Sequence, residues 1–233
     1  MHGVPLMFLL SSLLETLLKH REISINDLSR ITGISRETVL ELCSSIPGIR
    51  VIDDNDRVIV EAPLDAAIYG IRRGVYYKHI APYLDWHDFE LFSKEILSGH
   101  GYIVRNNFRL TRPVRLEIDV VGIDVSARRC IIIDCKHWTR GISPSALKEI
   151  ASKHKVRAAR LAEHITWTIS KWKFFKYAKT VIPLVITLTK PKIRAYDDVV
   201  IMSIYELNNF LKDIYMVIEY LGVQPIKVKK YTT

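Results

Sequence analysis

Hydrophobic residues return at helical spacing along the first stretch of the chain. Between Leu6 and His20 most leucines fall on one face, which predicts an amphipathic helix. Ser24 and Ser35 each precede a shorter helical stretch, and serine is a preferred N-cap because its side chain accepts a free backbone N–H. Gly33 separates the two stretches and supplies a tight turn, so the pattern predicts a helix-turn-helix.

Apolar residues then recur two positions apart, at Ile49 and Val51 and again at Val58 and Val60, on either side of the polar run Asp53–Asp56. This alternation predicts a β-hairpin with a polar turn. Three helices followed by a hairpin is the element order of a winged helix, and residues 5–62 resemble that family.

The winged-helix resemblance implies that the third helix faces the major groove of DNA, with Arg36 and Thr38 at its exposed N-terminal end. The wing, however, carries Asp53, Asp54 and Asp56, where a wing that grips phosphate would carry Lys or Arg. Winged helices also mediate protein contacts. DNA contact and protein contact or dimerisation are therefore both open for this module.

The chain is expected to divide into three segments. Residues 1–62 form the winged helix-turn-helix domain, and Pro63 ends its hairpin. Residues 63–84 are a connecting helix and linker, in which Gly74 stops the helix. Residues 85–233 form the second domain.

In the second domain the pattern alternates between buried strands and amphipathic helices. A helix capped by Asp85 precedes three strands, of which the third is the isoleucine-rich run Cys130–Lys136. Another helix, two strands at residues 181–188 and 199–204 and a single closing helix at 205–221 follow. This order predicts an α/β fold in which a mixed sheet is flanked by helices.

The composition indicates a folded protein with an anionic partner. Apolar residues make up 48% and charged residues 25% of the chain, which is typical of globular proteins. The formal net charge of +9 favours nucleic acid or an anionic membrane surface. No apolar run approaches the ~20 residues of a membrane span, so no membrane association is expected. Cys43, Cys130 and Cys135 lack the spacing of a disulfide framework or zinc site, and a cytoplasmic protein is expected.

Basic residues concentrate in the helix predicted near residues 145–164 and just after it. Few acidic residues balance them, so as a group they predict a surface that contacts phosphate. The members are Lys148, Lys153, Lys155, Arg157, Arg160, Lys171 and Lys173. The aromatic residues interleaved with them between positions 167 and 177 are expected in the core.

Charged residues stand where buried strands end. Asp134 and Lys136 point to the same side of their strand because side chains alternate, and Asp119 sits in an apolar context on the preceding strand. Burying a carboxylate and an ammonium is costly unless they have partners. Carboxylates that converge on Mg²⁺ remove this cost, and the backbone carbonyl of Cys135 faces the same region. A structural ion pair between Asp134 and Lys136 is the alternative.

Three motifs resemble the PD-(D/E)xK nuclease superfamily, which has the restriction-endonuclease-like fold of archaeal Holliday-junction resolvases and Mrr-type enzymes. They are Glu90 on a helix, Glu117-Ile118-Asp119 on one strand and Asp134-Cys135-Lys136 on the next. The resemblance covers about residues 85–222. It implies that Glu90, Asp119 and Asp134 bind the metal. These three acids and Lys136 would be the catalytic residues. Ile118 replaces the proline of the first motif, and Asp134 replaces the more usual glutamate.

The sequence thus predicts a DNA endonuclease that depends on Mg²⁺ or Mn²⁺ and acts on double-stranded or branched DNA, in repair, recombination or restriction-like defence. A homodimer is expected because cutting both strands usually requires two active sites. The alternative is a DNA-binding or partner-recruiting protein whose nuclease fold is inactive. An RNA endonuclease is a third option, but the Tyr, His and Lys constellation of tRNA-splicing enzymes is not evident.

Overall fold

The computed structural model describes residues 6–52, 56–138 and 141–229, and the chain divides into two units, Met1–Asp88 and Phe89–Thr233. The helices are α1 (Leu6–His20), α2 (Ile25–Thr32), α3 (Arg36–Ser45), α4 (Pro63–Arg72), α5 (Trp86–Gly99), α6 (Pro144–Glu163), α7 (Ile165–Lys171), α8 (Ile204–Lys212) and α9 (Ile214–Tyr220). The strands are β1 (Glu22–Ser24), β2 (Ile49–Ile52), β3 (Arg57–Val60), β4 (Ile103–Leu110), β5 (Leu116–Asp124), β6 (Arg129–Lys136), β7 (Thr180–Thr187), β8 (Ala195–Tyr196), β9 (Val199–Ser203) and β10 (Ile226–Lys227).

The helix-turn-helix is confirmed, together with the residues that cap it. The Ser24 side chain accepts a hydrogen bond from the backbone N–H of Asp27 at 2.9 Å at the start of α2. Gly33 ends α2 with a φ of 70°, which suits glycine because it has no Cβ. Ser35 caps α3 by accepting from the N–H of Thr38 at 3.3 Å. Local side-chain chemistry therefore sets these helix boundaries.

The predicted hairpin is present as β2 and β3, and β1 adds a third strand to give the order β1-β3-β2. Strand β1 was not predicted, because three residues are too few to show an alternating pattern. Of the acids expected in the hairpin turn, Asp53 and Asp54 lie outside the described residues. Asp56 is described, and its carboxylate contacts the Arg36 guanidinium and the Asn26 amide.

The segment expected to connect the domains packs into the first unit. Helix α4 lies against α1 at Gly70, where an added Cβ would collide with the buried side chain of Leu14. The residues that follow α4 also contact α1, since His79 Nδ1 and Glu15 Oε2 lie 2.9 Å apart. The division into residues 1–62, 63–84 and 85–233 stays a prediction.

The second unit is a mixed α/β structure, as the sequence predicts. Among the described residues its sheet has seven strands in the order β4-β5-β6-β7-β9-β8, with β10 paired to β7. Strands β4, β5 and β6 are antiparallel neighbours, whereas β6, β7 and β9 run parallel. Helix α6 covers one face through residues such as Leu147, Ala151, Ala158 and Leu161. Helix α5 approaches β5 at Gly122, which leaves room for Leu97.

The closing helix predicted at residues 205–221 is not continuous. Asp213 has a φ of −122° and separates α8 from α9. A nonhelical φ at one residue cannot be inferred from an apolar pattern that continues across it, so this prediction was wrong in detail. Helix α7 and strands β8 and β10 are likewise too short to be signalled by periodicity.

Candidate active site

Strands β5 and β6 stop pairing where their acidic residues begin. The described ladder ends with Val120 opposite Ile133, and Asp119 and Asp134 are the next residues in each strand. The backbone N–H of Cys135 donates to Oδ2 of Asp119 at 2.8 Å, in place of a further bond to strand backbone. In an extended strand the N–H and C=O of one residue project to the same side, so the Cys135 carbonyl also faces this gap.

Asp134 is almost fully buried and is bound by two cationic side chains. Its Oδ1 lies 3.0 Å from Nζ of Lys136 and 3.1 Å from Nη1 of Arg157. The contact with Lys136 follows from alternation along β6. Burial raises the pKa of Asp134, but its interactions with His154, Lys136 and Arg157 outweigh burial and leave the pKa below its usual value. Asp134 is therefore an ionised carboxylate held by nearby positive charge.

Glu90 lies on α5 and is 4% exposed. Burial, reinforced by the negative charge of Asp119, raises the pKa of Glu90 to about 7, against the opposing effect of Lys136. Its Oε2 is buried and has no hydrogen-bond partner among the described residues, and the same holds for Oδ2 of Asp134. Two buried carboxylate oxygens without hydrogen-bond partners, on acids whose charges interact, are unusual in a folded protein unless they belong to a binding or catalytic site.

The pKa values of Asp119 and of the Cys135 thiol are both raised, chiefly because both groups are buried. Burial raises the pKa of Asp119, although the hydrogen bond from Cys135 partly offsets it. The Cys135 side chain points away from Lys136, and its Sγ lies 3.6 Å from Oγ of Ser93 on α5. Burial raises the pKa of this thiol well above its ordinary value, so it is a protonated group packed behind the site.

His154 is a buried residue of the site that was not predicted from the sequence. Its Nε2 donates to the carbonyl of Ile132 at 3.1 Å, which leaves Nδ1 to accept from Nη1 of Arg157 at 3.2 Å. Burial lowers the pKa of His154 to about 4, so the ring is neutral at neutral pH and Lys136 and Arg157 supply the positive charge around Asp134. The spacing of His154 and Arg157, three residues apart on a helix, is the signal that could have paired them.

Asp119 and Asp134 line a cleft of about 340 Å³. It is lined by Arg115, Leu116, Glu117, Asp119, Asp134, Arg157 and Arg160. Two carboxylates from the strand ends thus share one accessible space with three arginines.

A divalent cation fits the chemistry of these donors. Among residues 6–52, 56–138 and 141–229, no three His, Cys, Asp or Glu side chains are close enough to hold a metal ion, so the expected set of Glu90, Asp119 and Asp134 is not gathered into one cluster. Oδ1 of Asp134 instead contacts Lys136 and Arg157. The donors that suit a hard cation are the two cleft carboxylates, the Cys135 carbonyl and the unsatisfied oxygens of Asp134 and Glu90.

The residues expected to contact DNA on α6 separate into two groups. Arg157 and Arg160 line the cleft. The three lysines have partners elsewhere. Lys148 lies over the Tyr196 ring at 5.4 Å, Lys153 pairs with Glu149 at 2.6 Å, and Lys155 binds both Asp197 and Asp198. Because Lys155 is neutralised by two carboxylates, its charge is poorly placed to attract a phosphate.

Lys171 and Lys173 are exposed at the end of α7 and just beyond it. The carbonyl of Lys171 accepts from the Arg105 guanidinium at 2.8 Å, and Nζ of Lys173 lies 5.5 Å from the centre of the Phe174 ring. The nearby aromatic residues are divided: Phe175 is buried in the core as expected, whereas Trp167 is 58% exposed.

In the first unit, the two residues expected at the DNA groove are engaged locally. The Arg36 guanidinium binds Asp56, and it donates to Asn26 at 3.0 Å. The Thr38 hydroxyl lies 3.1 Å from that of Ser35. Glu37 and Glu41 are the exposed charged residues further along α3. The arrangement stabilises the helix start and presents acid beside it.

Both units have counterparts among known protein families. Residues 82–179 match the family model described as "Restriction endonuclease", and residues 14–51 match the "Cro/C1-type HTH DNA-binding domain". The crystal structure of protein VC1899 from Vibrio cholerae is similar at 14% identity and a TM-score of 0.37, over 92% of this chain and 51% of that one. The chain therefore spans about half the length of that protein. No curated protein matches the chain. The described part of the chain contains no helix that could span a membrane.

Proposed function

We propose that this chain, whose residues 82–179 match the restriction endonuclease family model, hydrolyses phosphodiester bonds of double-stranded or branched DNA with Mg²⁺ or Mn²⁺. The observation that carries this proposal is the joint presence of Asp119 and Asp134 on the wall of an open, arginine-lined cleft, with Lys136 bound to Asp134. Such a cleft matches the charge of a phosphodiester and of the cation that would accompany it.

The metal ligands would be Asp119, Asp134 and the Cys135 carbonyl, with Glu90 as the fourth donor. A bound divalent cation supplies a more acidic water and neutralises charge on the phosphate. The pKa of Glu90 is raised to about 7 without a cation, so this carboxyl would have to release its proton in order to bind one near neutral pH. Asp119 is aimed by the Cys135 N–H, so its orientation comes from the strand backbone.

Lys136 is proposed as the catalytic ammonium. Its Nζ is 3.0 Å from Asp134, and its side chain is only partly buried, so it can turn from the carboxylate towards a phosphate oxygen in the cleft. There it would orient the attacking water and stabilise negative charge that develops in the transition state. Arg157, held by His154, lines the cleft and offers a second positive charge.

DNA is proposed as the substrate because the excess of positive charge lies outside residues 1–62. Residues 1–62 carry six Lys and Arg against nine Asp and Glu, whereas the rest of the chain carries 28 against 16. Electrostatic attraction to phosphate is therefore assigned to the nuclease domain. The helix-turn-helix at residues 14–51 is proposed to select the site or to add affinity. Homodimerisation is proposed because a double-strand break needs two active sites.

The test is a cleavage assay on the whole chain with supercoiled, nicked, flapped and four-way-junction DNA in Mg²⁺, Mn²⁺ or EDTA. Metal-dependent cutting that is lost in Asp134→Asn and Lys136→Ala would support the proposal, and the preferred substrate would define the enzyme class. Light scattering with and without DNA tests the dimer. Cutting that persists in EDTA or in both variants would reject the proposed site.

A second candidate function is DNA binding without cleavage. It is favoured by the contacts of Lys136 and Arg157 with Oδ1 of Asp134, which offset the charge of this carboxylate as a structural ion pair would. Tight binding of any of these DNAs with no cutting in either metal would select this candidate.

A further inference from the structure

We propose that Arg115 and Arg160 form a clamp that binds the DNA phosphates on either side of the one placed at Asp119 and Asp134. The proposal rests on the proposed function, because it takes these two acids as the place of the scissile phosphate. The ligand is the sugar-phosphate backbone, independent of base sequence.

The two arginines reach the cleft from different elements. Arg115 directly precedes β5 and Arg160 lies in the last turn of α6, yet both line the same space as the two acids. Both are exposed residues. In the described ranges 6–52, 56–138 and 141–229 neither side chain has an acidic partner or a hydrogen bond. Two guanidinium groups without such partners in the described ranges, beside a pair of carboxylates that can hold a cation, would attract a polyanion.

The third arginine of the cleft, Arg157, differs because it is paired with Asp134 and His154. Arg157 is tied to Asp134 at 3.1 Å and to His154 at 3.2 Å, so its guanidinium is fixed at the acids. Its charge offsets that of Asp134. Arg115 and Arg160 therefore account for the positive charge that remains for phosphates beyond the reacting one.

The third acid that lines the cleft is paired with an arginine. Glu117 lines the cleft, but Nε and Nη2 of Arg109 both donate to its Oε1, at 3.1 and 2.7 Å. This bond crosses from β4 to β5, where Arg109 is paired with Glu117 in register. With Glu117 compensated, repulsion of a phosphate by this wall is reduced, and the arginine fork is suited to bind phosphate oxygens in pairs.

The experiment measures binding of the full chain to a fluorescently labelled duplex in EDTA, so that no cleavage interferes, at a series of salt concentrations. The logarithm of the binding constant K falls linearly with the logarithm of the salt concentration. Removing one phosphate contact reduces the magnitude of this negative slope by about 0.9. Arg115→Gln and Arg160→Gln are each expected to reduce the magnitude of the slope by about one, and the double variant by about two. Arg115→Lys and Arg160→Lys are expected to keep the slope but bind less tightly, because lysine cannot make paired hydrogen bonds.

The matched control is Arg128→Gln. Arg128 is an exposed arginine in the turn between β5 and β6, at the end opposite Asp134 and roughly 20 Å along the strand from it. The substitution removes the same charge without touching the cleft and is expected to leave the slope unchanged. A fall in slope for Arg128→Gln equal to that of the clamp variants would show a general charge effect and overturn the clamp.

Failure of the clamp and failure of the nuclease proposal give different results. If the unaltered chain cuts DNA while both Gln variants bind with its slope and affinity, the clamp is wrong and the nuclease stands. If the Gln variants lower the slope but the unaltered chain never cuts, the clamp stands and catalysis is wrong. Thermal unfolding of each variant checks that the exposed substitutions leave the fold intact.

Discussion

The backbone N–H of Cys135 donates to the Asp119 carboxylate at 2.8 Å, at the point where β5 and β6 separate. The bond links the two acidic motifs through main chain, so the direction of Asp119 depends on the conformation of β6. It also marks the place where a sheet hydrogen bond has been replaced by a side chain. The candidate site therefore exists because two neighbouring strands stop pairing immediately before their acids.

Asp119 offers a test that separates charge from hydrogen bonding. Asp119→Asn keeps an oxygen that can accept from Cys135 but removes the charge, so DNA cutting should fall at least about 100-fold. Its free energy of unfolding should change by less than about 1 kcal/mol. Asp119→Ala should lose activity equally and also about 1–3 kcal/mol of stability, because the Cys135 N–H loses its partner. Cleavage rates and urea unfolding measure both, and near-normal cutting by Asp119→Asn would contradict the assignment.

His154 and Arg157 should differ in the same two measurements. His154→Ala removes a fully buried ring and its bond to the Ile132 carbonyl, so it should lower the free energy of unfolding by about 2–4 kcal/mol. Arg157→Ala should cost less, about 1–2 kcal/mol, because the buried Nδ1 of His154 loses its donor while Lys136 still binds Asp134. Both variants should cut DNA more slowly. Unchanged cutting by Arg157→Ala would show that its contact with Asp134 is only structural.

Glu206 makes stability depend on pH. It closes the capping box of α8 and binds Arg194 at 2.7 Å; burial raises its pKa, but Arg194 and Ser203 outweigh burial and lower the pKa below its ordinary value of 4.5. A lowered folded-state pKa means that ionised Glu206 stabilises the fold above about pH 4.5, and that this contribution is lost as pH falls through the folded-state pKa. Glu206→Gln should therefore be less stable at pH 7 by about 1–2 kcal/mol.

The Glu206→Gln difference should shrink towards zero as pH falls through the lowered folded-state pKa of Glu206, below which both side chains are uncharged. Urea unfolding of the two proteins at neutral, mildly acidic and strongly acidic pH measures it. A difference that stays constant over this range would mean that the charge of Glu206 contributes nothing.

Gly48 and Gly33 form a matched pair, since both have positive φ, 78° and 70°. An alanine at either position incurs the cost of left-handed backbone, about 1–2 kcal/mol. At Gly48 the new Cβ would also collide with the Ala62 carbonyl and lie 2.8 Å from the Ala62 Cβ, whereas at Gly33 no atom of the described residues lies within 4 Å. Thermal unfolding should show Gly48→Ala to be less stable than Gly33→Ala by at least about 1 kcal/mol. Equal loss would show that residue 62 can move away.

Much of the local structure could be predicted because short-range chemistry decides it. The serines that cap α2 and α3, the glycine that ends α2 and the isoleucines of β6 each act within a few residues of themselves. Alternation along β6 likewise predicts that Asp134 and Lys136 share a side, and their contact at 3.0 Å agrees. Elements of two or three residues, such as β1 and β8, show no periodic signal.

Caps, alternation and motif spacing are local properties, so the order of amino acids was enough to establish the helix-turn-helix, the mixed α/β fold and the residues of the acidic motifs. Which charges meet was settled by folding alone. In the folded chain Arg157 contacts both His154 and Asp134. Lys155 pairs with Asp197 and Asp198. Arg115, at the start of β5, lines the same cleft as Arg160 on α6. The physical reason is that charge pairing depends on distances set by strand register and helix packing, which no spacing along the chain records.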